Sequence, residues 1–172
     1  MDPHLEKLQC QIASAIERLS PEQLIRNANG KWSVVEILEH LYLTYTGTIK
    51  GCGRLLEGGK PLATKSNWKQ RAQTFVVVTL GYMPTGREAP ERARPRGTPA
   101  EKVVAEIASA LSEMDRLLAQ CAGRFGSGAK LMDHPFLGPF SIQQWRRFHL
   151  VHGLHHVKQI RHLREELLAG RM

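Results

Sequence analysis

Residues 141–168 read SIQQWRRFHLVHGLHHVKQIRHLREELL. Ser141 offers an N-cap hydroxyl and Gln144 stands three positions on, the pattern of a capping box. No proline interrupts the run behind them, so the spacing predicts one long helix from about Ile142 to Leu168. At ~100° per residue, Ile142, Trp145, Ile160, Leu163 and Leu167 share a face. That face also carries His149, His152 and His156, whereas His155 and His162 point away from its centre. A helix with such a face must bury it against other helices, and three imidazoles go in with it.

Other stretches supply those helices. Asp2 before Pro3 opens the first, with Leu5, Leu8, Ile12, Ile16 and Leu19 at three- and four-residue steps. Ser20, Pro21 and Gln23 fit a short helical turn. KWSVVEILEHL, residues 31–41, has a capping box at Ser33 and Glu36. From there Val34, Ile37, Leu38, Leu41, Tyr45 and Ile49 form a stripe that should end near Gly58 and Gly59. Thr98, Pro99 and Glu101 look like another capped start. Behind them run Val103, Ile107, Leu111, Met114, Leu117, Leu118 and Cys121. Four long amphipathic helices predict an all-α chain, a four-helix bundle in one domain over 1–172. Residues 59–97 form an irregular, partly helical insertion between the second and third long helices. Within it, NWKQRAQTFVVVTLGYM is a weaker helix. Its FVVVTL run suits a strand too, but has no partner strand.

Composition narrows the function classes. The 172 residues are 42% hydrophobic and 23% charged, an ordinary globular balance. No apolar run approaches the ~18 residues of a membrane span, and the start shows no secretory pattern, so a cytoplasmic protein is expected. Three scattered cysteines, Cys10, Cys52 and Cys121, favour neither disulfides nor a cysteine zinc site. The net charge of +8 permits anionic partners. Much of it lies in GREAPERARPRG, with Arg87, Arg92, Arg94 and Arg96. This run is a solvated loop or a rim for an anionic substrate. Nucleic-acid binding is disfavoured, because no recognition module or aromatic platform accompanies the charge.

The chemistry concentrates in the histidines. His152 and His156 are four residues apart, which sets their rings ~5–6 Å apart on one helical face. Neutral imidazole is a good ligand for zinc, nickel, copper or iron. A third ligand must come from another helix, and His40, flanking the stripe of the second long helix, is the leading candidate. Three histidines leave coordination positions open, the pattern of catalytic rather than structural sites. His149, one turn before His152, lines the same face and is the candidate acid or base; an ordinary hydrogen-bonded core histidine is the alternative. Trp32 and Trp145 would wall the pocket. His134 in HPFLG either approaches its mouth or only stiffens a loop. HExxH, Glu-x-x-His, catalytic-triad and phosphate-loop templates do not fit these residues.

KWSVVEILEHL, with HPFLGPFSIQQWRRFHLVHGLHHVKQI further along the chain, resembles the DinB/YfiT-like superfamily, over essentially residues 3–168. The resemblance implies a four-helix bundle, often a homodimer, with a divalent metal held by three histidines. Those positions fall on His40, His152 and His156, with Gln159 completing the H-x-x-x-H-x-x-Q pattern. It further implies a small-molecule substrate, and for some members thiol S-transfer with a low-molecular-weight thiol. A metal-dependent hydrolase and a non-catalytic metal-binding dimer are the alternatives.

Overall fold

The computed structural model describes residues 1–27, 30–84, 86 and 88–169. The chain is predominantly helical. In order, α1 spans Pro3–Ile16, α2 Pro21–Ile25, α3 Val34–Gly58, α4 Trp68–Thr74, α5 Ala100–Phe125 and α6 Ile142–Leu168. A π-helical turn, Phe75–Thr79, continues α4, and a 3-10 turn covers Glu91–Ala93. Two short strands, β1 (Met132–His134) and β2 (Gly138–Phe140), pair antiparallel with Met132 opposite Phe140.

Most helix starts obey the expected chemistry. Asp2 accepts from the His4 amide, and Ser20, Ser33 and Ser141 each complete a capping box with Gln23, Glu36 and Gln144. At the far end of α3, Gly59 takes φ 65° and its amide caps Leu55 O, a left-handed stop that suits glycine.

The structure differs from expectation in several places. Thr98 does not cap α5. Pro99 occupies the N-cap without a side-chain bond, because Thr98 Oγ1 donates instead to Glu39 Oε1 at 2.5 Å. The weaker helix expected over NWKQRAQTFVVVTLGYM is present at Trp68–Thr74, but FVVVT continues it as a π-helical turn, not as an α-helix or the alternative strand. The chain also carries the β1–β2 ribbon, which the all-α expectation missed. Its signal was slight: two three-residue strands, the second opened by Gly138 at φ 75°. Leu19 lies beyond the end of α1.

The long helices pack α1 on α6 and α3 on α5, with further contacts of α1 and α6 on α5 and of α3 on α6. Between them lie Leu5, Leu8, Leu38, Leu41, Tyr45, Leu111, Met114, Leu118 and Ile160, each buried. At roughly 25 cal/mol per Å², burial of such apolar area is the main force holding the helices together. Among the described residues no helix is long and apolar enough to cross a membrane.

Gly153 marks a close approach of α1 and α6. A Cβ there would sit 2.4 Å from Leu8 Cδ1 and 2.8 Å from Leu8 Cδ2, and Leu8 is fully buried. Gly153→Ala is therefore expected to cost about 1–3 kcal/mol despite alanine's better helix propensity. Chemical denaturation measures it; an unchanged or raised stability would show that Leu8 moves aside freely.

Candidate metal centre

His40 lies in the second turn of α3, and His152 and His156 lie one turn apart on α6. Their ligand atoms all fall within 4.8 Å of one another. His40 Nε2 and His156 Nε2 each lie 3.1 Å from His152 Nε2. His40 and His156 are buried and His152 half-buried.

The outward nitrogens fix which atoms face the centre. His40 Nδ1–H donates to Ala93 O at 2.7 Å, since a carbonyl can only accept. His156 Nδ1–H donates to Gln159 Oε1 at 2.7 Å. Neutral His40 and His156 must then turn bare Nε2 lone pairs towards His152 Nε2. One proton on His152 Nε2 can serve only one of them. A cation at the centre takes all three Nε2 lone pairs, and the outward bonds of His40 and His156 are of the kind that orient metal-bound imidazoles, whereas His152 Nδ1 is sealed without a partner among the described residues. A metal bound at about 2.0–2.1 Å spaces its nitrogens roughly 3 Å apart, which matches the two 3.1 Å separations from His152 Nε2.

Burial keeps the rings neutral, the form that binds metal. It pushes His40 below the usual histidine range, against the opposing pull of the Ala93 bond. His152 is held well below that range by burial, with the neighbouring His156 and His40 adding to the effect. His156 is lowered to about 3, by burial first and then by His40.

Surrounding residues hold the cluster in place. Phe148 stacks on His152 at 5.3 Å and 9°, and Trp32 lies 5.3 Å from His40. Glu39, 1% exposed, accepts from the Gly97 and Thr98 amides and from Thr98 Oγ1. Burial alone would raise its carboxyl, but the bonds from Thr98, Arg96 and Gly97 outweigh it and hold it below the usual value. Glu39 thus pins segment 96–98 to α3, keeping the 91–93 turn, with Ala93 O, over His40. No pattern in the sequence marks this support. A backbone carbonyl leaves no residue signature, and Glu39 looks like a surface carboxylate.

The remaining histidines divide. His149, 1% exposed, lies 3.0 Å from Thr48 Oγ1 through Nε2 and stacks on Trp145, while its Nδ1 is sealed without a partner. Its ring contacts are Tyr45, Trp145 and Phe148, so it stands beside the cluster rather than in it. His162 is exposed, as expected, and its Nε2 lies 3.4 Å from Glu166 Oε1. His155 is half-buried instead of fully outward, its ring 5.2 Å from His156.

A cleft of about 1870 Å³ opens onto the cluster. Trp32 and Trp145 line it, with His134, Lys50, Arg54 and Arg92. Arg92, Arg94 and Arg96 of the basic run are exposed, and Arg94 pairs with Glu88 and Glu91. Arg87 lies outside the described residues.

Acid should act on this centre in a definite direction. Burial lowers His134, His149 and His156 to about 3. The unfolded chain protonates these groups near pH ~6.5. Between about pH 6.5 and 3 the unfolded state therefore binds more protons than the native one, and stability falls as pH falls. Metal-free protein is expected to melt at a lower temperature at about pH 5 than at about pH 8. A flat or opposite trend would contradict the buried, neutral assignment.

The family DUF1569, described as a protein of unknown function, matches residues 2–163. The chain belongs to the DUF1569 family. No curated protein and no solved structure matches it. The span shared with DUF1569 holds His40, His152 and His156 and stops within α6. The helices that build the centre are thus part of the DUF1569 region, and the geometry is the guide to its chemistry.

Proposed function

We propose that this DUF1569 chain is a DinB/YfiT-like four-helix-bundle metalloenzyme. His40, His152 and His156 would hold a divalent transition metal, zinc or nickel. The observation that carries this is the pair of Nδ1–H bonds, to Ala93 O and Gln159 Oε1, which leaves two bare Nε2 atoms converging on a third. When bound, such an ion supplies Lewis acidity and lowers the pKa of a coordinated water or thiol.

The chain's own groups do the rest. Phe148, Trp32 and Trp145 would shield one side of the cluster from water. The cleft would admit a small substrate. His149 is the candidate proton carrier, with Thr48 orienting its ring. Of the reactions open to such a site, thiol-dependent S-transfer with a low-molecular-weight thiol is the one proposed, on the likeness to that superfamily. A homodimer and a cytoplasmic location rest on the same likeness and on the sequence expectations.

Metal analysis and then a thiol-transfer screen test the proposal. Purified protein should carry about one transition metal per chain, as a single site requires. With that metal restored, electrophiles should turn over only when a low-molecular-weight thiol is present. Metal without thiol-dependent turnover would refute S-transfer and leave hydrolysis or a non-catalytic metal protein. Full metal content in His152→Ala would refute the ligand set.

A further inference from the structure

Two groups on the cleft wall have no task in the metal chemistry, His134 and Arg92. We propose that His134 Nε2–H and the Arg92 guanidinium form an oxyanion subsite that takes the carboxylate or phosphate of a small acidic substrate. This deepens the metalloenzyme reading and rests on its view of the cleft as a substrate site.

His134 is a fixed donor. Its Nδ1 accepts from the backbone amides of Phe136 and Leu137 at 3.3 and 3.2 Å. A neutral ring whose Nδ1 accepts must carry its proton on Nε2. That Nε2 has no partner among the described residues, is not sealed, and belongs to a residue that lines the cleft. The ring itself cannot swing. It stacks on Phe140 at 5.4 Å and 24° and meets the edge of Phe148 at 4.5 Å.

Arg92 is a second group on the wall. It lines the same cleft as His134 and directly precedes Ala93, whose carbonyl holds His40. Arg94, two residues on, is engaged by Glu88 and Glu91, whereas Arg92 meets no carboxylate among the described residues. Three acids line the cleft, Glu36, Glu88 and Asp133, against the cations Lys31, Lys50, Arg54, Arg92, Arg94 and Arg96, and of the acids Glu88 is paired with Arg94. An anion entering it meets uncompensated positive charge and one oriented neutral donor, the combination that binds oxyanions well.

The spacing ties the subsite to the centre. Phe148 stacks on His152 with one face and receives His134 at its edge. Phe148 is thus a wall common to the subsite and the centre.

The test uses the full chain stripped of metal by a chelator, so that no anion can bind through an ion. Inorganic phosphate and succinate are titrated separately, by calorimetry and by following the His134 ring nitrogens by NMR. At least one should bind saturably and shift the His134 Nε2 signal; the tighter arm tells phosphate from carboxylate. Arg92→Met and His134→Asn should each weaken that binding about tenfold, the loss of one charge-assisted or oriented bond. Asparagine Oδ1 can replace Nδ1 at the two amides, so the turn should survive. If it does not, Arg92→Met, on an exposed side chain, decides alone. No binding of either anion, or binding unchanged in Arg92→Met, overturns the subsite. Neither outcome touches the metal reading, which stands or falls on the metal content of His152→Ala.

Discussion

Replacing His152 by alanine is expected to drop bound metal from about one per chain to below about a tenth, because two imidazoles alone make a weak site. The fold should remain. His152 is half-buried, and the helix needs no cap from it. The same loss should appear in stability. Metal at about a hundredfold excess over its Kd stabilises the native state by about 2.7 kcal/mol. For a chain this size that raises the melting temperature by about 5–10 °C. Wild-type protein should show this rise on metal addition and lose it to a chelator, whereas His152→Ala should show neither. Gln159→Ala should act more mildly, weakening metal binding about 10–100-fold, since it frees only the outward nitrogen of His156.

Asp115→Ala should be the most damaging single change away from the centre. Asp115 is buried in mid-α5 and accepts Arg146 Nε at 3.0 Å and Arg146 Nη2 at 2.8 Å. Its other oxygen accepts the Asp2 amide at 2.8 Å. Asp2 in turn caps α1 and lies 3.6 Å from Arg146. One carboxylate thus joins the starts of α1 and α6 to the middle of α5. Removing it leaves a largely buried guanidinium with one distant partner and an amide with none, at a cost of about 3–5 kcal/mol. The melting temperature should fall by about 6–20 °C. Asp115→Asn, which keeps an acceptor, should lose less. A loss below about 1 kcal/mol in the alanine variant would show that water replaces the carboxylate.

The ligand candidates were legible because helical periodicity is simple. His152 and His156 share the face of Trp145 and Ile160, and His40 flanks the stripe of Leu38 and Leu41. Three of these helices begin with serine capping boxes that could be read directly, those of α2, α3 and α6. Long-range backbone partners were not legible. Thr98 has every local feature of an N-cap, yet Glu39, far earlier in the chain, takes its hydroxyl. Ala93 O and the His134 turn depend on how the insertion folds back, which no period encodes. Gly153 resembles an accident inside a good helix until Leu8 of α1 is placed against it. His155 drew inward because its ring packs against His156, a contact a wheel drawn for one helix cannot weigh.

The convergence of three Nε2 atoms defines the proposed metal site. X-ray absorption at the edge of the metal that the purified protein carries tests this most directly. The expected spectrum shows three imidazole nitrogens at about 2.0–2.1 Å around the metal, a shell lost in His152→Ala. A shell without imidazole, or one unchanged by that substitution, would contradict it.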